Sequence, residues 1–203
     1  MTEDRSRPPQ IRLFRSDWME RLTVVSPRGF ALTWSAVLLF VSFEGWGSTS
    51  VAAAIGFIAL GLSCWTLFEY VMHRFIFHLK LRSDWGRRLI FVMHGNHHVA
   101  PEDQCRNIMP PAVSMAILAP FWAVFVLLLG AAGSVLFLGF AIGYVGYDSV
   151  HYACHQFPMR GPVLGRLRRH HIHHHHAKQE GNYAITAILW DWVFGTMISL
   201  KRR

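Results

Sequence analysis

The chain has 203 residues, 52% of them hydrophobic and only 16% charged, with a mean hydropathy of +0.26 and a formal net charge of +8. This composition excludes a disordered chain and a collagen-like repeat, and three cysteines are too few for a disulfide scaffold. Thirteen histidines stand against those three cysteines, and nothing about an oily interior calls for them.

Residues 1–28 are polar, carry six arginines and lack the apolar run of a secretory signal. Within them Ile11, Phe14, Trp18 and Leu22 recur at three- and four-residue steps among Arg12, Arg15 and Arg21. That pattern predicts an amphipathic helix, lying in a membrane interface or packed on a cytoplasmic domain. Pro8 and Pro9 are expected to start it, and Pro27 to separate it from the next element.

Residues 29–203 form the second unit. Its stretches at about 29–46, 51–72, 112–129 and 131–150 are almost uncharged over most of their length. Crossing the hydrocarbon core takes roughly 20 apolar residues. Four such runs in so short a chain leave too little polar surface to cover four buried helices of a soluble protein. The expected fold is an all-α integral membrane protein with four transmembrane helices and a cytoplasmic, histidine-rich helical cap.

Orientation follows from the basic residues. Six precede the first stretch, six (Arg74, Lys80, Arg82, Arg87, Arg88, Arg106) lie between the second and third, and eight, from Arg160 to Arg203, follow the fourth. None lies in the turns near 47 and 130–133. The positive-inside rule then makes both termini and the central loop cytoplasmic. The net charge is therefore a topology signal; no basic run with a nucleic-acid module is present, and no nucleic-acid partner is expected. Cys64, Cys105 and Cys154 are widely spaced without a CxxC, as expected of thiols in a reducing compartment.

All thirteen histidines fall in the same predicted cytoplasmic segments, most of them in four clusters. His73 and His78 form HX4H; His94, His97 and His98 form HX2HH; His151 and His155 form HX3H; His171, His174 and His175 form a second HX2HH. Residues at i, i+3 and i+4 share a helix face, so each triplet can aim two or three imidazoles at one point, and the HX3H pair can do the same. The HX4H pair is looser, because five residues turn about 140° past a full turn; it needs a helix end, a kink, or metals on either side. Neutral imidazole suits iron, zinc, copper and nickel. Ten ligands are too many for one ion and suit two. Glu69, one turn before His73, and Asp148, three residues before His151, are placed to accept the second N–H of a ligating imidazole, or to compensate nearby charge.

The order of these clusters resembles the fatty acid hydroxylase/sterol desaturase superfamily, and most of all the fatty acid 2-hydroxylases. The resemblance rests on EYVMHRFIFH, FVMHGNHHVAPED, RNIMPP, GYVGYDSVHY, RHHIHHHH and WDWVFGT, in that order from about residue 67 to 196. It implies a metal site and catalytic centre made of His73, His78, His94, His97, His98, His151, His155, His171, His174 and His175, with His170 behind it. It implies two iron ions, which zinc can replace in purified protein, O2 as co-substrate, and hydroxylation at C2 of a fatty acyl chain in a free acid, acyl lipid or ceramide-type lipid. Arg106, Asn107 and Asn182 are candidates to meet the lipid's polar head, if they are more than loop residues, and Asp191 reads as structural. Many eukaryotic 2-hydroxylases carry an N-terminal cytochrome b5 domain, whereas residues 1–70 here contain no histidine. A separate electron donor, cytochrome b5- or ferredoxin-like, is therefore expected. The membrane would be the inner membrane of a bacterium or the endoplasmic reticulum of a eukaryote. Two other readings remain open from the sequence: a carotenoid or sterol hydroxylase or desaturase of the same superfamily, and a non-catalytic metal-binding or metal-transporting protein. A transporter should place ligands near the middle of its spans, and here those positions are apolar.

Overall fold

The computed structural model describes residues 11–198, and every regular element among them is helical. The first helix, α1, covers only Asp17–Leu22. It is shorter than the repeat from Ile11 predicts because the Glu20 carboxylate turns back onto the amides of Leu13 and Phe14, at 2.9 and 2.8 Å, and holds them outside the helix. The expected start at Pro8 and Pro9 lies outside the described residues, as do Arg5, Arg7, Lys201, Arg202 and Arg203.

Helix α2 (Pro27–Glu44) begins as its sequence dictates. Pro27 sits where no amide proton is needed, and the Ser26 hydroxyl accepts from Gly29 N at 3.0 Å. Helix α3 (Val51–Val71), capped by Ser50, runs on into a π-helical turn at Met72–Phe77. Helix α4 (Asp84–Ile90) leads into a second π-helical turn at Phe91–Gly95 and then α5 (Asn96–Val99). The remaining helices are α6 (Pro111–Leu129), α7 (Ala132–Gln156), α8 (Leu164–His176) and α9 (Leu189–Val193).

Among the described residues, three stretches are long and apolar enough to cross a membrane: Val51–Phe77, Pro111–Leu129 and Ala132–Gln156. The predicted stretch at 29–46 is helical as α2, but Arg28 and Glu44 at its ends, with its Ser and Thr, leave it outside that group. Helix α7 is the central element. Of its apolar window 61% is buried, against 11% in α3 and α6, which turn their apolar faces outward.

The packing of α3 on α7 positions the site. A Cβ on Gly61 would lie 2.1 Å from Leu136 O, and one on Gly139 2.2 Å from Ile58 O, so the two backbones touch. Glycines permit this close approach in apolar surroundings. One turn on, Gly143 lies against Trp65. Gly61 with Gly139 and Trp65 with Gly143 give one constant offset, so the helices run parallel. Continuing that register brings His73 level with His151 at the C-terminal ends of both.

Candidate metal centre

The ten histidines singled out by spacing come together as two groups of five. His73, His78, His94, His98 and His174 form one; His97, His151, His155, His171 and His175 form the other. Within each group the ligand nitrogens all lie within 4.8 Å of one another. The groups abut, with His98 of the first stacked on His175 of the second at 4.2 Å between ring centres. His173 and His176 belong to neither group, and Cys154 is buried outside both.

Spacing alone leaves open how each triplet divides between the groups. Each HX2HH triplet straddles both: His94 and His98 join the first group and His97 the second, while His171 and His175 join the second and His174 the first. Residues i and i+4 diverge by only about 40° around a helix, whereas i+3 and i+4 diverge by about 100°. Each triplet therefore keeps its i, i+4 pair together and gives the third ring away.

The HX4H pair is reconciled by the π-helical turn. His78 N bonds to His73 O across five residues at 3.2 Å, a wider turn that returns residues five apart to one face. Their Nε2 atoms then stand 3.2 Å apart. At the second π-helical turn, the Asn96 side-chain amide donates to Phe91 O and Val92 O at 2.9 and 2.8 Å, satisfying carbonyls there. His94 and His98 emerge with Nε2 atoms 2.9 Å apart.

Four rings are held by oxygens at their far side. His73 Nδ1 meets Tyr183 O at 2.5 Å and His174 Nδ1 meets Gly181 O at 2.7 Å. In the second group His97 Nδ1 meets Asn107 Oδ1 at 3.1 Å and His151 Nδ1 meets Asn107 O at 3.0 Å. These oxygens only accept, so each Nδ1 carries the proton and each Nε2 is a bare lone pair. His97 and His151 bring two such lone pairs to 2.8 Å, where neither can bond the other. A cation placed between them accepts from both. Two nitrogens each about 2.1 Å from one ion, at right angles, stand ~3.0 Å apart, and neighbouring Nε2 atoms in the two groups stand 2.8–3.3 Å apart. The donor sets fit a metal ion in each group. Burial also keeps the rings neutral: it lowers His78 to about 4 and His98 to about 3, and holds His94, His97 and His171 well below the usual histidine range.

The carboxylates act at one remove from the histidines. Glu69 does not meet His73; it accepts from Ile185 N, Thr186 N and Thr186 Oγ1 at 3.2, 2.8 and 2.7 Å, tying down the chain just after Tyr183. Asp148 does not meet His151; it accepts from Met109 N at 3.0 Å and Tyr144 OH at 2.8 Å, next to Asn107. In both cases unpaired amides of a neighbouring segment reach the carboxylate first. His170 lies behind the centre, its Nε2 2.9 Å from Asp191 Oδ2. Asp191 also accepts from Tyr183 N, Ala184 N and Thr196 Oγ1. The turn it holds needs its own sequence: a Cβ on Gly181, at φ +153°, would lie 2.3 Å from Thr196 O. Asn182 takes the left-handed conformation that asparagine tolerates.

Beside the histidines is a cavity of about 380 Å³, reached by His94, His97 and His151. Of the three residues considered for a lipid head, Asn107 and Asn182 are engaged within the protein. Asn107 is spent on the two histidines and Pro101 O, and Asn182 donates to His170 O and accepts from Ile198 N. Arg106 does line the cavity. The carbonyl partners of the rings carry no letter in the sequence; only the GNY and RNI contexts hint at them.

The chain is also similar to several known proteins. The pattern described as fatty acid hydroxylase matches residues 58–196. A dihydroceramide fatty acyl 2-hydroxylase of Arabidopsis thaliana is 35% identical over 94% of this chain and 81% of its own. A fatty acid 2-hydroxylase of Homo sapiens is 37% identical over 94% of this chain, which spans 58% of that longer protein. A solved structure of full-length scs7p, in which only the hydroxylase domain is visible, superposes with a TM-score of 0.85 at 29% identity, covering 92% of this chain and 72% of that one.

Proposed function

The chain belongs to the fatty acid hydroxylase family, and we propose that within it this protein is a monooxygenase that hydroxylates C2 of a fatty acyl chain, in a free acid, acyl lipid or ceramide-type lipid. The observation that carries this reading is the pair of five-histidine groups at the edge of a largely apolar cavity. The balanced reaction takes a C–H bond, O2, two electrons and two protons, and gives C–OH and water. Two iron ions, held one in each group of five, would supply the activation of O2. The electrons come from a separate one-electron carrier, cytochrome b5- or ferredoxin-like.

The chain's own residues supply the rest. The Nε2 atoms of the ten histidines would hold the ions, and the oxygens of Asn107, Gly181 and Tyr183 keep four of those rings in the ligating tautomer. The cavity excludes water and lays the acyl chain against apolar side chains. Arg106 stands one residue from the Asn107 that touches His97, so a polar head held there brings the carbons next to it, C2 first, towards the histidines. We read α2 as a fourth crossing beside the three apolar helices, with residues 1–28 as an interfacial arm and residues 29–203 as the hydroxylase domain. Both termini and the metal centre are then cytoplasmic, consistent with the distribution of all 20 basic residues.

The test is expression in a host lacking 2-hydroxy lipids, with iron and a reductase system, followed by mass spectrometry of hydrolysed lipids. A gain of one oxygen at C2 is expected. No gain, or a gain that survives His97→Ala, overturns the reading. A finer expectation concerns Asn107. Asn107→Ala removes the acceptor for His97 while leaving the backbone oxygen for His151, and should weaken metal binding in the second group about 10–100-fold. Competition with a chelator reads this directly: one ion should be lost early and the other retained.

A further inference from the structure

The segment before α2 lies over the cavity. Leu13, Phe14, Trp18, Met19 and Leu22 all line it, together with His94, His97 and His151. No residue of α1 is buried, and Trp18 and Leu22 are 66% and 61% exposed, so the helix is a thin wall with the cavity beneath it. Side chains and one backbone bond fasten it. Glu20 pairs with Arg106, Arg88 donates to Leu13 O, and Val25 N bonds to Cys105 O at 2.9 Å. The Arg106 side chain is only 4% exposed and also holds Asp103 at 3.0 Å, yet its buried Nε has no hydrogen-bond partner. A buried donor left unmatched beside a cavity is costly unless a ligand oxygen meets it.

We propose that residues 11–24 are the outer wall of the substrate site, that Phe14 and Met19 determine which lipid fits, and that the Arg106 guanidinium donates to an oxygen at the lipid's polar end. The occupant is a single-chain-inserting acyl lipid whose amide or carboxyl oxygen lies at Arg106 and whose chain passes the histidines. This deepens the hydroxylase reading and rests on it for the identity of the lipid. The arm, with its exposed Trp18 and Leu22, also places the entrance at the membrane surface, where such a lipid resides.

The experiment uses the purified full chain in lipid nanodiscs and a ceramide carrying a diazirine in its acyl chain. After photolysis, label is expected in peptides spanning residues 11–24. Excess unlabelled ceramide should compete it away, and an alkane of equal length, which offers Arg106 no oxygen, should not. Met19→Trp, which fills the cavity, should weaken the competed labelling about tenfold or more while the metal content stays at the wild-type value. Met19→Ala should admit lipids with a bulkier polar end. Arm labelling that ceramide does not compete, or that Met19→Trp leaves unchanged, overturns the wall; competition by the alkane equal to that by ceramide overturns the role of Arg106. If labelling behaves as expected while the wild type yields no hydroxylated lipid, the hydroxylase reading fails and the wall stands. If the wild type is active without competed arm labelling, the wall fails and the hydroxylase reading stands.

Discussion

His97→Ala and His98→Ala, changes at adjacent positions, are expected to remove different metal ions. His97 belongs with His151, His155, His171 and His175, and His98 with His73, His78, His94 and His174. Each single variant should fall from two ions per chain to one. The double variant His97→Ala/His98→Ala should hold none, whereas His97→Ala/His151→Ala, both changes in one group, should still hold one. Metal analysis of the four proteins separates this from a single shared site, in which adjacent histidines would act together; a double variant at 97 and 98 that kept an ion would sink the partition. Turnover should fall in every case by more than ~100-fold, since the loss of a ring's partner alone costs 10–100-fold. The cause is geometric. Rings at i+3 and i+4 diverge by about 100°, and two groups that abut as closely as His98 and His175 can be served from one helix only by that divergence.

That same divergence marks the limit of what the sequence tells. The ten ligands are legible because histidine is a rare choice in apolar surroundings and its spacing repeats. The apolar stretches are legible because they contain almost no charge. The partition of each triplet is not, because 94–97–98 and 171–174–175 read identically whether they serve one ion or two. HX4H is awkward for an α-helix, and the wider turn at Met72–Phe77 that resolves it depends on His78 N reaching His73 O, which no side chain announces. Glu69 and Asp148 sit at the right distance in sequence from His73 and His151, but amides from residues 185–186 and 109 claim them. The real partners of the rings are largely backbone oxygens, and only the fold brings them. Nor does the apolar repeat of 11–22 reveal that Glu20 breaks it.

Asp191→Asn should destabilise the protein by about 3 kcal/mol, the scale of a charged hydrogen bond lost plus a buried donor left unmatched. It should also weaken the first metal group while sparing the second. Asp191 is fully buried and its two oxygens face four donors: Tyr183 N at 2.8 Å, Ala184 N at 2.8 Å, Thr196 Oγ1 at 2.6 Å and His170 Nε2 at 2.9 Å. A carboxylate only accepts, so all four are satisfied. Asparagine keeps the shape but turns one oxygen into an NH2 that must face donors. The strain falls on the turn at 181–184, whose carbonyls at Gly181 and Tyr183 orient His174 and His73. Both of those rings are in the first group, whereas the second is oriented by Asn107 from a different loop. Thermal unfolding in detergent should show the lower stability, and chelator competition should show one ion released about 10–100-fold more readily. With Asn107→Ala the vulnerable ion is the other one. Equal loosening of both ions by either change would mean that the two loops do not act on separate groups, and the assignment of each orienting oxygen to its own metal would fall.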